Sequence, residues 1–528
     1  MMHRKFLISK RETFRFATIL AAGLSLGTWS ACDTLWNGFT IADPRSCASP
    51  MTELHCQAPQ VCNPNSGRCE DGAGLLSLNP NTMPMSAGQP VEVTSSLLTK
   101  DTVVKIAGQA LLPPLSAPAA NQTTGIVAKS PGRCGPVDVE LVRSNGQPFK
   151  GPGAFTYTFE PFTVRPSNSL LFSMSPISKI FLANLDDDPG GNIDILLRTS
   201  TGPQAILNPV TNPMIPQALP VVVNVDQHIA IARIAGKSRS TLVFGDTVAD
   251  ATARSQITIL TWDEARSMYV SKSPGAIPGQ IKHMLTLDSN HDGTDEVVIV
   301  SQTMGAQTNS TVTMMYNSNL NWSIYQNNLL LANNAVIAIT TGDIDNDKTD
   351  DLLMTTANQP GLTALYALSW DGVHLNPIPT PMSPPGIFTA VATGDWDGDN
   401  RVDIALSTGL ANPIFTLLNK QSGWSSSSFN TSSTVSFYQT ELLTYDVNCD
   451  RKPDLVVNNF TVGQGSWSGM FVSNGKGGFA ERRLPSIKQG PLLLADLNAD
   501  SLPDILSASS EGGGANPGGA QFMLGYSP

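Results

Sequence analysis

Six short stretches of this 528-residue chain carry oxygen-bearing side chains at alternate positions, each closed by an acid and an apolar residue. In a ten-residue frame, Asp or Asn stands at positions 1, 3 and 5, an acid at position 9 and a β-favouring residue at position 10. The copies are Asn184/Asp186/Asp188 with Asp194, Asp288/Asn290/Asp292 with Glu296, and Asp343/Asp345/Asp347 with Asp351. Three more follow: Asp395/Asp397/Asp399 with Asp403, Asp446/Asn448/Asp450 with Asp454, and Asp496/Asn498/Asp500 with Asp504. The first copy has two extra residues before its last acid. A hard cation such as Ca²⁺ takes about six to eight oxygen ligands, and alternate side chains on a tight loop can converge on one ion. Without an ion, neighbouring carboxylates in partly dry surroundings repel by about 1 to 4 kcal/mol per pair. The acids therefore predict turns that a cation holds shut. Gly293 at position 6 suits a turn of positive φ, whereas Lys348, Asn400, Arg451 and Ser501 take the equivalent place, with strain expected at the Lys and Arg.

The elements that would position these acids follow from their spacing. The interval between residues 184 and 288 is double, and a degenerate copy fills it: Arg233, Ala235, Lys237 and Thr241 stand at positions 1, 3, 5 and 9, followed by Leu242. Two cationic side chains at ligand positions predict a loop without a metal. First positions then fall at 184, 233, 288, 343, 395, 446 and 496, giving seven units of about fifty residues, the length of a four-stranded propeller blade. Apolar stretches precede the loops (Ile337–Ile339, Ala390–Ala392, Leu492–Leu494) and follow them (Leu352–Met354, Ile404–Leu406, Leu455–Val457), so each loop joins two buried strands. The expected fold is all-β, with a seven-bladed β-propeller over residues 165–528. After Asp504 only two strands fit, Ile505–Ala508 and Gln521–Gly525, which with Pro491–Ala495 leaves the last blade one strand short. Leu170–Met174 is the expected clasp, because a ring must join its first and last blades to avoid a bare sheet edge.

These loops resemble the FG-GAP/VCBS repeats of integrin-α-type propellers over roughly 360 residues, and Phe471–Phe479 is similar to the turn and aromatic that follow the loop in VCBS repeats. The resemblance implies Ca²⁺ held by the side chains at positions 1, 3, 5 and 9 and the carbonyl at position 7, in up to six structural sites.

The region ahead of the repeats reads differently. Arg4, Lys5, Lys10, Arg11 and Arg15 precede the apolar run Phe16–Leu26, which is too short to span a bilayer and reads as an export signal. With Cys32 after Ser30 and Ala31, residues 1–31 resemble a bacterial lipoprotein signal, implying lipidation of Cys32; Trp29 departs from the usual Leu. No later stretch is long and apolar enough for a transmembrane helix. Residues 32–74 hold Cys47, Cys56, Cys62 and Cys69, which in an exported chain read as two disulfides of open connectivity. Whether Cys134 pairs with Cys449 is left open. Over 75–160 the stretches Val91–Thr94, Val103–Ile106, Val137–Val142 and Phe155–Phe159 alternate as half-buried strands of a small Ig-like β-sandwich. Asn79-Pro80, Gly88–Val93, Ser130-Pro131-Gly132 and Gly153–Phe159 make this region similar to the IPT/TIG family, whose modules act as spacers.

Function is bounded more loosely. A net charge of −11 argues against a nucleic-acid partner, which needs clustered Lys and Arg to displace counterions. The favoured reading is a non-enzymatic, exported, calcium-binding surface protein that meets an extracellular or cell-surface protein or glycan through its propeller loops. Its expected location is the outer membrane or cell surface, through a lipid on Cys32, with a secreted or periplasmic form as the alternative. The alternative function is an extracellular polysaccharide-acting enzyme, a lyase or glycosidase, whose two acids could lie far apart in sequence. No nucleophile elbow, zincin helix or Ser-His-Asp set is found, and His3, His55, His228, His283, His291 and His374 read as ordinary surface or turn residues. Trp262, Trp322, Trp370, Trp424 and Trp467 recur from unit to unit, which favours packing over sugar stacking.

Overall fold

The computed structural model describes residues 60–63, 68–71 and most of 76–158 and 177–523. Among these the chain is all-β, every regular element being a strand. No helix among them is long and apolar enough to cross a membrane. Cys32, Cys47, Cys56, Asp188, Asn498, Asp500, Ser501 and the expected clasp Leu170–Met174 lie outside the described residues. The chain divides into two compact units, one of residues 1–131 and 136–156, the other of 132–135 and 157–528.

In the first unit, Gln60–Asn63 pairs antiparallel with Arg68–Asp71, which sets Cys62 opposite Cys69 in register. Two sheets follow. Leu76–Asn79, Pro90–Ser95 and Gln122–Ile126 form the smaller, and Thr82–Pro84, Val103–Ile106, Gln109–Ala110, Gly135–Val142 and Pro148–Thr158 the larger. Val91 and Val93, Val104 and Ile106, Val139 and Leu141, and Phe155 and Tyr157 are buried between less buried neighbours, the period of two that a strand covered on one face requires.

The second unit runs through seven antiparallel sheets in sequence order among the described residues. Their first strands are Ile177–Ala183, Gln227–Ala232, Gln280–Leu287, Asn334–Gly342, Ala390–Gly394, Gln439–Tyr445 and Leu492–Ala495. Position 9 of the frame, whether acid or Thr241, opens the second strand of every sheet: Asp194–Thr199, Thr241–Asp246, Glu296–Thr303, Asp351–Asn358, Asp403–Ser407, Asp454–Thr461 and Asp504–Ala508. The last sheet has three strands among the described residues, the third being Ala520–Met523, and the expected end at Gly525 lies outside the described residues.

The second strands are unbroken apolar runs because both their faces are covered. Ile195 and Leu197 pack with Leu506 and Ala508 of the seventh sheet, while Leu196 between them packs with Ile229, Leu242 and Phe244 of the second. Val297 and Ile299 meet the second sheet, and Val298 and Val300 meet the fourth. Leu353 with Ile404, Ala405 with Leu455, and Val456 with Ile505 continue the pattern through the fourth to seventh sheets. Truncating one such side chain, Leu353→Ala for example, opens a cavity between two sheets at a cost of about 2–5 kcal/mol. Threonines two residues before position 1 join adjacent first strands: Thr286 Oγ1 donates to Ile231 O (3.1 Å), Thr393 Oγ1 to Thr341 O (2.6 Å) and Thr444 Oγ1 to Thr393 O (2.7 Å).

Candidate metal centres

Each loop between first and second strand is built by its own acids. The position 9 carboxylate accepts the backbone N–H of position 2 in all six acidic copies: Asp194 from Leu185 (2.6 Å), Glu296 from Ser289 (3.0 Å), Asp351 from Ile344 (2.8 Å), Asp403 from Trp396 (2.9 Å), Asp454 from Val447 (2.9 Å) and Asp504 from Leu497 (2.8 Å). At position 1, Asp288, Asp343, Asp395 and Asp446 each accept the N–H groups of positions 5 and 6, at 2.8 to 3.1 Å. At position 5, Asp292, Asp347, Asp399 and Asp450 each accept the N–H of position 7, at 2.7 to 2.9 Å. The spacing of the motif thus matches the spacing of the turn's otherwise orphaned donors.

Positive φ falls at position 6, as expected, in Gly293, Lys348, Asn400 and Arg451. It falls at position 4 as well, in His291, Asn346, Gly398 and Cys449. The sequence reading missed this second left-handed residue, although His, Asn and Gly are among the types that tolerate it. Two closely spaced reversals curl each of these four loops around its acids.

In two loops the curl gathers positions 1, 3 and 9. One carboxylate oxygen from each of Asp343, Asp345 and Asp351 lies within 4.8 Å of the others, and so do those of Asp395, Asp397 and Asp403. Asp351 is fully buried, and its Oδ1 has no hydrogen-bond partner. Asp397 Oδ1 is likewise buried without a partner, while its Oδ2 meets the Lys420 ammonium at 2.7 Å. Burial, then neighbouring acids, push Asp351 up to about 7, even though the Ile344 N–H favours its anion. Burial also lifts Asp403 to about 6 and Asp454 to about 7 and raises Glu296, Asp345 and Asp446. An unpartnered, desolvated carboxylate oxygen facing two further acids suits a hard divalent cation, and the donor set, all oxygen, suits Ca²⁺. Asp347 and Asp399, at position 5, are engaged with the loop backbone and stand outside these clusters.

Where position 3 is Asn, its amide is hydrogen-bonded within the loop. Asn290 Oδ1 accepts the Asp292 N–H (3.0 Å), and its Nδ2 donates to Asp292 Oδ2 (3.2 Å) and Glu296 Oε1 (3.4 Å). Asn448 Oδ1 likewise accepts the Asp450 N–H (3.1 Å). Asp345 Oδ1 accepts the Asp347 N–H in the same way (3.2 Å), so this bond is shared by Asn and Asp at position 3. A neutral carboxamide carries donors as well as an acceptor, so at Asn290 it also bridges two acids of its loop, which a carboxylate at position 3 cannot do. In the third loop the amide thus links positions 5 and 9, whereas the fourth and fifth loops gather triads of acids.

The degenerate loop substitutes arginines. Arg233, at position 1, meets Asp295 of the next loop through Nη2 (2.9 Å) and Nε (3.2 Å), and its backbone N–H donates to the same carboxylate (2.7 Å). Arg239 donates to Leu185 O (2.6 Å) and Asp186 O (2.7 Å) of the preceding loop, its guanidinium lying 3.6 Å over the Trp262 ring. This loop therefore ties itself to both neighbours with fixed cations. An open recess of about 620 Å³ lies here, lined by Arg233, Lys237, Ser238, Asp288, Asp295 and Asp350 among others.

Other residues singled out in the sequence find their places. Trp322 is buried in the core between second and third sheets, Trp370 packs edge-on to Tyr325, and Trp424 and Trp467 pack against core clusters. Two histidines correct the expectation of surface or turn positions: His228 and His283 sit on first strands, where burial depresses them to about 3 and about 4. The open question of Cys134 is answered by a disulfide to Cys449, at position 4 of the sixth loop, with Cα atoms 5.7 Å apart.

No protein-family model matches this sequence, and no curated protein does. Among solved structures the chain is similar to Sqt1 of Saccharomyces cerevisiae, at 11% identity and a TM-score of 0.41, over 74% of this chain and 93% of that one. It is also similar to a structure assigned as a 6-phosphogluconolactonase from Bacteroides uniformis (10%, TM-score 0.37, 63% of this chain and 92% of that one). The periplasmic gluconolactonase PpgL of Pseudomonas aeruginosa matches at 10% identity and TM-score 0.37, over 66% of this chain and 97% of that one.

Proposed function

We propose that the second unit closes into a seven-bladed, calcium-stabilised propeller of the FG-GAP/VCBS kind, and that the chain is an exported, non-enzymatic surface protein that binds a protein or glycan through its loops. The observation that carries the metal is Asp351, fully buried, with one oxygen unpartnered beside Asp343 and Asp345. Asp343, Asp345 and Asp351 would hold one ion and Asp395, Asp397 and Asp403 another, and related loops with acids at positions 1, 5 and 9 extend the set to as many as six, Asn290 and Asn448 turning their oxygens inward when an ion arrives. The ion supplies positive charge where the fold has gathered negative, and so fixes the turn between two strands of a blade. Ring closure is supported by the apolar packing of Ile195 and Leu197 against Leu506 and Ala508.

A binding role is supported by the recess at the loop end, where fixed cations and acids stand side by side around open space. Rigid sheets that hold variable loops are suited to recognition. The IPT/TIG-like unit would then serve as a spacer from a lipid on Cys32. The test is thermal unfolding with and without a chelator, followed by calcium titration and an array of glycans and surface proteins. Calcium is expected to raise the melting temperature, with binding and no turnover on the array. A melting temperature that ignores both chelator and calcium removes the metal from this reading.

A further inference from the structure

Counting five residues back from position 1 of each frame reaches the same point on every first strand: Lys179, His228, His283, Ala338, Ala390, Glu441 and Pro491. One residue later the position is apolar throughout (Ile180, Ile229, Met284, Ile339, Val391, Leu442, Leu492) and faces an inter-sheet core. Four of seven sheets therefore place a titratable group at one level, near the end of the first strand remote from the metal loops. The other three place Ala or Pro there, which leaves room.

Two further cations join them. Arg198 is the cross-strand partner of Lys179. Lys282 occupies the irregular register between Ile281 and His283, where a bulge re-aims a side chain. Burial lowers Lys179, on the first sheet, and the charge of Glu441, on the sixth, acts against that. His228 is lowered by burial first and then by the charges of Arg198, His283, Lys179 and Lys282, on the two sheets that flank its own. The first strands lie side by side from sheet to sheet, that of the seventh beside that of the first, so these groups stand along one shared inner edge. Lys179 is exposed, and Arg198, His228, Lys282, His283 and Glu441 are half-buried, so each is reachable from solvent. Glu441 is anchored by Asn458 Nδ2 (2.9 Å) and the Leu492 N–H (3.3 Å), and His283 hydrogen-bonds the Val336 backbone, so both are preset.

We propose that Lys179, Arg198, His228, Lys282, His283 and Glu441 form an axial site, at the end of the ring opposite the metal loops, for a carboxylate flanked by hydroxyls, as in a hydroxy acid or a uronic-acid sugar. Three cations against one carboxylate attract a monoanion, while Glu441 opposes a dianion at close range. The neutral imidazole of His228 offers one donor and one acceptor, and that of His283, its N–H given to the Val336 carbonyl, offers an acceptor, which suits hydroxyl groups beside the charge. The site rests on closure of the ring, and not on occupancy of the metal loops.

The test is calorimetric titration of the calcium-loaded full chain with glucuronate, a uronate oligosaccharide, glucose and inorganic phosphate. Glucuronate is expected to bind and glucose not to bind. Lys179→Met is expected to weaken glucuronate by about tenfold or more, the loss typical of one charge-assisted hydrogen bond. Glu441→Gln, which keeps shape and anchoring, is expected to admit phosphate. Binding of the oligosaccharide alone assigns the ligand to a polymer, and binding of free glucuronate assigns it to the monomer. Absence of binding by both, preference for phosphate by the unaltered protein, or affinity unchanged in Lys179→Met overturns the site. Calcium-dependent melting of each variant separates misfolding from lost contact. Small-angle scattering on the same sample reports the ring independently, so that an open arrangement of sheets is told apart from a closed ring without this site.

Discussion

Replacing Asp351 by Asn should make the metal-free protein more stable and take away part of its response to calcium. In the fold, burial and neighbouring acids hold the Asp351 carboxyl near 7 against an ordinary value of 3.8. A carboxyl raised by folding contributes stability that is complete below its unfolded value and is lost as pH rises through its folded value. Without metal, the protein should therefore weaken between about pH 4 and pH 8, and each pK unit is worth about 1.4 kcal/mol, so ionised Asp351 costs on the order of 4 kcal/mol. Asn keeps an oxygen for the Ile344 N–H, which Asp351 accepts at 2.8 Å, and turns an NH₂ toward the oxygens of Asp343 and Asp345. The gain should approach the cost just given at pH 8 and vanish near pH 4. Calcium at about a hundredfold its dissociation constant adds about 2.7 kcal/mol to a loop that binds it, and the variant should lose that increment for one loop. Six of the eight Trp fall within the second unit, so urea unfolding followed by Trp fluorescence, with chelator or calcium at pH 5 and pH 8, reads the difference. A variant less stable than the parent in chelator at pH 8, with the full calcium increment retained, would refute the reasoning and leave Asp351 as a backbone cap alone.

Lys420→Met frees Asp397 Oδ2, so the fifth loop should bind calcium more tightly; in chelator the nearly buried Asp397 loses its cation and stability falls by about 1–3 kcal/mol, both read by calorimetry. Arg233→Met should leave the number of bound ions unchanged in equilibrium dialysis, yet lower the melting temperature, because Asp295 is buried and keeps only backbone donors. Cys449→Ser removes a bridge across 315 residues, with a loss of about 2–4 kcal/mol in non-reducing unfolding, and should weaken calcium at the sixth loop by releasing position 4.

The sheets were legible because each loop motif marks a strand boundary twice, by its acids and by the apolar run that follows. All seven second strands open on position 9, the degenerate Thr241 included, which shows that the backbone plan survives loss of the ligands. What eluded the sequence depends on side chains choosing among partners or meeting from distant elements. Asn290, Asp345 and Asn448 at position 3 all accept the position 5 N–H, and the frame alone does not announce this cap. Lys420 reaches Asp397 from the end of the third strand of its sheet, and nothing in the loop's own ten residues announces it. Cys134 and Cys449 carry no spacing signal across so long an interval. His228 and His283 looked ordinary singly, and only alignment of the frames shows that they share one level with Lys179 and Glu441.

The loops also suggest why one copy could lose its acids without loss of its strands. Six carboxylate-rich turns packed side by side must be neutralised, and a cation can do this whether it diffuses in or is covalently attached. The fifth loop borrows an ammonium from Lys420, and the second loop carries its own guanidinium groups to Leu185, Asp186 and Asp295. Arg233 thus occupies the first position of its frame as a cation where its neighbours place an anion, and it meets the position 8 acid of the following loop. In the fourth loop position 8 is again an acid, Asp350, but position 1 of the preceding loop is Asp288, and Asp350 is pushed upward by burial and by that charge. The same junction is therefore closed by a fixed ion pair after the second sheet and left acid against acid after the third, where a mobile cation has the most to stabilise.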